Sequence, residues 1–236
     1  MKFATPLIEG RLVSRYKRFF ADVELPGGEV VTAHCANTGA MAGIKDAGLK
    51  VWLSRADNPK RKLKFTWEVV EAQDTLIGTL PGRANELAEE AVQAGILTEL
   101  TGYASLRREV KYGENSRIDL LLEHEEKGLC YVEIKNVTMR RNLEDGPLEF
   151  PDGVTSRGTK HLGELSAKAQ AGERAVQLFI VQRSDCTRLR PADDTDPVYG
   201  EALRAAHKAG VEILAYRCEV TPAGIAITDP MSVELR

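Results

Sequence analysis

Residues 109–138 constrain the fold of this chain more than any other stretch. Two runs of strand character, SRIDLLL at 116–122 and YVEIK at 131–135, flank the charged, glycine-containing segment 123–128. That arrangement suits an antiparallel hairpin. Side chains alternate faces along a strand, so Val132 and Ile134 share one face while Glu133 and Lys135 share the other. Asp119 stands between apolar Ile118 and Leu120 and is expected to point away from both.

An aspartate on one strand and Glu-x-Lys on the next have a chemistry. Two carboxylates suit a hard cation such as Mg²⁺ or Mn²⁺, which takes few protein oxygens and keeps several waters. Such a cation polarises a phosphoryl oxygen and lowers the pKa of a bound water. A lysine two residues from the glutamate lies on the same face and can steady developing negative charge. This is the Asp…Glu-x-Lys pattern of the PD-(D/E)XK nuclease-like fold, which makes Asp119, Glu133 and Lys135 the candidate catalytic set. Asp119 and Glu133 are the expected metal ligands, with Glu90 on a preceding helix as a third and Glu109 as a weaker alternative.

The flanking chain supplies the rest of that fold. A helix is expected over 86–94 with Asn85 as its cap, then a strand over 106–112 before the hairpin. Residues 140–150 read as a polar, mobile loop. Thr155 or Ser156 opens a helix running to 171, and AVQLFIV at 175–181 suits a strand buried on both faces. A helix over 199–209, a strand over 211–216 and an edge strand at 224–227 complete a mixed sheet in an α/β layer.

Before residue 76 the pattern is different. Strand-like alternation at 7–13, 19–25, 29–35, 49–54 and 64–71 suggests a small barrel of the OB type. The expected organisation is therefore α+β overall: an OB-like nucleic-acid-binding barrel over 1–80 and a PD-(D/E)XK nuclease-like α/β domain over 81–236. Barrels of this type bind single strands on aromatic side chains beside basic ones. Tyr16, Phe19, Trp52, Phe65 and Trp67 are available, though at least half must fill the barrel.

The net charge of −3 does not advertise nucleic-acid binding, but its distribution does. Residues 1–84 carry 13 Lys and Arg against 9 Asp and Glu, whereas the remainder carries 19 against 26. Clustered charge matters more than totals for phosphate contact, and the clusters are Arg15, Lys17 and Arg18, then Lys60, Arg61, Lys62 and Lys64. Lys160 and His161, near a helix start, are further candidates for phosphate.

Several classes are excluded. Cys35, Cys130, Cys186 and Cys218 lie too far apart for a C-x-x-C zinc site. No run reaches the ~18 apolar residues of a membrane span, and residues 1–20 lack a signal-peptide core, so a cytoplasmic protein is expected. There is no phosphate-binding G-x-x-x-x-G-K-[ST] loop and no nucleophile elbow.

The chain resembles the sugar fermentation stimulation protein A (SfsA) family. The residues that carry the resemblance are RYKRF (15–19), HCANTG (34–39), DNPKRK (57–62), TWE (66–68), VKYG (110–113), SRID (116–119), FPD (150–152) and RGTKHL (157–162). Ala36 stands where members often have Pro. The resemblance implies an N-terminal OB-like domain, a C-terminal nuclease-like domain, DNA binding with little sequence preference and a role in regulating sugar (maltose) use. Two functions fit: a DNA-binding regulator carrying a nuclease-like metal site, and a Mg²⁺-dependent DNA nuclease. Sequence leaves open cleavage itself and the oligomeric state, a homodimer included.

Overall fold

The structure, a computed structural model, describes residues 1–58, 60–113 and 116–236. Pro59 of the 57–62 block and Glu114 and Asn115 of the 109–138 stretch lie outside them.

Six strands come first: β1 (Ile8–Tyr16), β2 (Phe20–Glu24), β3 (Val30–His34), β4 (Lys50–Arg55), β5 (Phe65–Ala72) and β6 (Thr75–Gly78). Their order is β3-β2-β1-β4-β5-β6. Ala33 and His34 also pair in parallel with Phe65 and Thr66, which closes the first five into a barrel. This is the expected OB-type unit. Leu12, Val23, Val51, Leu53 and Trp67 fill it. Strand β6 was not expected. Ala72 pairs with Thr75 across Gln73 and Asp74, whose φ values are +55° and +58°. Two left-handed residues make the tight hairpin turn that matches strand twist, but Gln-Asp lacks the usual glycine signal and four residues show no period.

The second part runs α1 (Arg83–Gln93), β7 (Ser105–Tyr112), β8 (Ser116–His124), β9 (Gly128–Val137), β10 (Leu148–Phe150), α2 (Ser156–Gln170), β11 (Arg174–Val181), β12 (Arg188–Pro191), α3 (Pro197–Lys208), β13 (Glu212–Thr221), β14 (Gly224–Pro230) and β15 (Ser232–Val233). The main sheet has the order β14-β13-β11-β9-β8-β7. Strands β9, β11 and β13 are parallel; β7, β8 and β14 are antiparallel to their neighbours. This is the mixed sheet of the nuclease-like reading. Among the described residues no helix is long and apolar enough to cross a membrane.

Both faces of that sheet are covered. On one, Leu87, Ala88 and Ala91 of α1 pack with Val132, Ile134 and Leu178, and the barrel's Trp52 and Val69 join the same core. On the other, Leu162 and Leu165 of α2 and Leu203 of α3 cover Leu121, Tyr131 and Phe179. Each such buried Leu, Val or Ile side chain contributes about 1.5–3 kcal/mol. Because barrel and sheet share a core, the barrel is held in a fixed place beside β9.

Residues 140–150 are not wholly the loop expected. Leu148 is buried in β10, which pairs with β12. Arg141 donates to both oxygens of Glu149 and both of Asp194 at 2.6–2.8 Å. A polar composition concealed a segment fixed by ion pairs.

Candidate functional site

Strand β9 presents Glu133 and Lys135 on the face toward α2, as alternation requires. Glu133 lies opposite Gln177 of β11, and Lys135 opposite Phe179. Asp119 reaches the same place by a different route. The pairing of β8 with β9 ends at Leu120 and Val132. Beyond it, Asp119 Oδ2 accepts from the Ile134 backbone N–H at 2.7 Å, taking over a ladder partner. Ile118 then packs on the α2 side and Leu120 on the α1 side. The expectation that both share a face opposite Asp119 is thus corrected: alternation breaks at this residue.

Asn85 also departs from its expected role. Gly82 occupies the cap position of α1, and Asn85 sits in the first turn. There its side-chain amide donates to Asp119 Oδ1 at 2.9 Å. Burial, and then the charge of Glu133, raise the Asp119 pKa above the ordinary carboxylate value despite these two hydrogen bonds.

Glu133 is 2% exposed. Its Oε1 accepts from Lys135 Nζ at 2.6 Å and is hydrogen-bonded to His161 Nδ1. Arg157 donates to His161 Nε2 at 3.4 Å. Burial pushes Glu133 upward, but the His161 and Lys135 hydrogen bonds outweigh it and hold the carboxyl below its usual value. Glu133 Oε2 is buried without a hydrogen-bond partner, as are Glu164 Oε2, Gln177 Oε1 and the Tyr112 hydroxyl. Buried polar atoms are normally paired, so this set of oxygens marks a site built for something more than packing.

Two hard oxygen donors with an orphaned buried oxygen fit a small divalent cation, its remaining positions filled by water. Asp119 and Glu133 are the residues that would hold it. Among the described residues no three His, Cys, Asp or Glu side chains converge to hold an ion by themselves. Glu90 does not join them: its carboxylate pairs with the Met1 amino group at 2.6 Å, and its side chain is 56% exposed. Glu109 is exposed on β7, with a φ of +52°.

Lys135 and Asn85, the outer members of the cluster, line a cleft of about 830 Å³ between barrel and sheet. Lys135, Asn85 and Asn136 line one side, and Arg15, Arg18 and Lys45 the other. The barrel loop at 37–39 closes on Asp152: a Cβ on Gly39 would lie 2.2 Å from Asp152 Oδ2. Arg15 braces that loop, donating to the Asn37 and Gly39 carbonyls at 2.8 and 3.1 Å. Lys17 and Arg18 are exposed at the hairpin tip.

The second basic cluster lies elsewhere. Arg61 donates to Thr66 and lines a separate cleft of about 480 Å³ with His34, Arg55 and Arg83. Lys60, Lys62 and Lys64 are exposed nearby. Lys160 is half-exposed and lies 3.6 Å from Glu164. His161 is no surface residue: at 4% exposure and bonded to Glu133, it is not placed to meet a phosphate. Its expected role is corrected to membership of the buried cluster.

Sequence reading took Asn85 only for a helix cap and passed over Glu164 and Gln177. Gln177 did carry a signal. It is the one polar residue in AVQLFIV, it is fully buried, and its amide donates to the Glu133 carbonyl at 3.1 Å.

The raised Asp119 value has a consequence for stability. A carboxyl whose folded pKa lies above its unfolded value favours the native state below about pH 4, and that contribution is lost as pH rises through the folded value. Asp119→Asn keeps an acceptor for Ile134 and removes the repulsion with Glu133. At pH 7 in EDTA it is expected to stabilise the protein by about 0.5–2 kcal/mol. The gain should vanish near pH 3 in urea melts; a destabilised Asp119→Asn at pH 7 would show that the carboxylate pair is not strained.

The sequence signature described as "Sugar fermentation stimulation protein RE domain" matches residues 82–224, and that of the "SfsA N-terminal OB domain" matches 13–79. A sugar fermentation stimulation protein homolog of Maricaulis maris is 72% identical over 100% of this chain and 99% of its own length. One of Paramagnetospirillum magneticum is 52% identical over 100% and 98%. The solved structure of Pyrococcus furiosus SfsA in complex with Ca²⁺ is 28% identical, covers 99% of this chain and 98% of that one, and superposes with a TM-score of 0.87.

Proposed function

The chain belongs to the sugar fermentation stimulation protein family, and from that premise we propose that it binds DNA with little sequence preference and hydrolyses phosphodiester bonds at Asp119, Glu133 and Lys135. The observation that carries this reading is the buried Glu133 carboxylate, with one oxygen unpartnered, beside an Asp119 whose pKa is raised by burial and then by the charge of Glu133. The Pyrococcus relative is described with Ca²⁺, and Mg²⁺ or Mn²⁺ on Asp119 and Glu133 extends that chemistry to this chain. Such a cation would supply Lewis acidity toward a phosphoryl oxygen. In this reading Arg15, Arg18 and Lys45 of the barrel, taken as 1–80, would meet a phosphate backbone in the cleft that Lys135 of the α/β domain, taken as 81–236, also lines. Asn85 and the Ile134 N–H fix the Asp119 carboxylate, and His161 fixes Glu133, so neither must reorganise when DNA enters.

A second reading is DNA binding without cleavage, the sheet serving as a scaffold. The ion pair of Lys135 with Glu133 favours it, since that pair neutralises the carboxylate with no cation. Incubating the purified protein with single-stranded, duplex and branched DNA, with Mg²⁺ or Mn²⁺, separates the two. Cation-dependent products that disappear with Glu133→Gln are expected. Binding without products under every condition would leave the scaffold reading.

A further inference from the structure

We propose that the tip of the β1–β2 hairpin is a stacking platform for unpaired nucleobases, and that a single strand is therefore the form of DNA that enters the cleft. This rests on the DNA-binding reading above and adds the substrate class.

The structure sorts the barrel's aromatics. Trp67 is fully buried and Trp52 is 7% exposed, and both serve packing. Phe65 is half-buried against the barrel core. Tyr16 and Phe19 are different: they are 39% and 48% exposed, and both sit at the hairpin tip. Between them stand Lys17 and Arg18, exposed, with φ values of +48° and +63°. An exposed aromatic pair interleaved with cations is the arrangement that takes bases on ring faces and phosphates on charges.

The tip is also ordered in advance. The Tyr16 ring stacks on Phe20, centroids 5.5 Å apart and planes at 18°, and its hydroxyl donates to Asp22 at 3.3 Å. The Phe19 carbonyl accepts from the Cys35 N–H at 2.8 Å, and the Arg18 carbonyl accepts from Arg15 at 3.3 Å. The backbone is thus held while the side chains face outward, which lowers the ordering entropy that binding would otherwise require.

Arg18 and Lys135 line the same cleft, so the platform adjoins it through Arg18. At about 830 Å³ the cleft is of small-ligand size and has room for a short run of one strand. Bases held at the tip would lead that strand's backbone past Arg18 toward Lys135.

The test is fluorescence anisotropy on the full chain in EDTA. The probes are a labelled single strand, its abasic counterpart and a blunt duplex, each over a salt series. Tyr16→Ala/Phe19→Ala is expected to bind the single strand about tenfold or more weakly, with abasic and duplex affinities and the salt slope unchanged. Lys17→Ala/Arg18→Ala should weaken all three probes and flatten the slope by about 0.7–0.9 per lost phosphate contact. Phe19→Ala alone gives a smaller loss of the same pattern, and serves if the double variant melts early. The inference is overturned if the aromatic variants bind the single strand like wild type, or lose as much on the abasic strand or the duplex. Wild-type protein that binds none of the probes overturns the DNA reading itself and this inference with it.

Discussion

Lys135→Ala is expected to lower the rate of DNA cleavage at saturating divalent cation by about 10²–10³-fold, while the cation concentration for half-maximal rate changes far less. Lys135 Nζ lies 2.6 Å from Glu133 Oε1 and its side chain is 16% exposed, the partly open flank of an otherwise buried cluster. An ammonium there can face a phosphoryl group whose charge grows in the transition state. Its partner Glu133 keeps the His161 hydrogen bond when the lysine is removed, so the carboxylate stays in place. The loss should therefore fall on the chemical step. Lys135→Arg restores charge without a point ammonium and is expected to recover only part of the rate. Single-turnover kinetics over a cation titration measure both quantities. A loss confined to cation affinity would make Lys135 a mere counter-charge, and an unchanged rate would remove it from catalysis.

What was legible in the sequence follows from how local each signal is. Glu133 and Lys135 share a face because a strand's period is 2, and β9 keeps its pairing with β11 through both residues. The barrel was legible for the same reason, strand by strand. Asp119 was legible as a carboxylate on the neighbouring strand, yet its path was not: it bonds Ile134 only because β8 and β9 part at Leu120, which is a property of the sheet. Helix periodicity put Glu90 and Asn85 on the same element without saying which end faces the site. The inner stripe of Ala84, Leu87, Ala88 and Ala91 sends Glu90 to the Met1 amino group and leaves Asn85 beside Asp119. His161 pairs with a carboxylate 28 residues away, and a lone histidine carries no mark of such a partner. Strands of two to four residues, such as β6, β10 and β15, are too short to show any period.

Arg183 was the least legible of all, since arginine is almost never fully buried unless paired, and its environment gives the second large effect. Asp185→Ala is expected to destabilise the protein by about 3–5 kcal/mol. The Arg183 side chain has no solvent exposure. Its Nε and Nη2 donate to the two oxygens of Asp185 at 2.6 Å each. Nη1 donates to the Thr138 carbonyl just past β9, and Nη2 to Gln73 in the β5–β6 turn of the barrel, both at 2.9 Å. One guanidinium thus joins the strand carrying Glu133 and Lys135 to the barrel that lines the other side of the cleft. Without Asp185 that charge remains buried and uncompensated. Arg183→Met should cost less, about 1–3 kcal/mol, because Asp185 is 19% exposed and keeps Arg140 at 2.8 Å. The pH dependence has a definite sign. Burial pushes Asp185 upward, but Arg183 and then Arg140 outweigh it and hold the carboxyl below its usual value. Its stabilisation is therefore present above about pH 4 and is lost as pH falls through the depressed value. Urea melts of wild type and Asp185→Ala should differ most at neutral pH and converge in acid. If Arg183→Met proves the costlier of the two, or the gap persists undiminished at the lowest pH, the buried charge is not what holds barrel and sheet together.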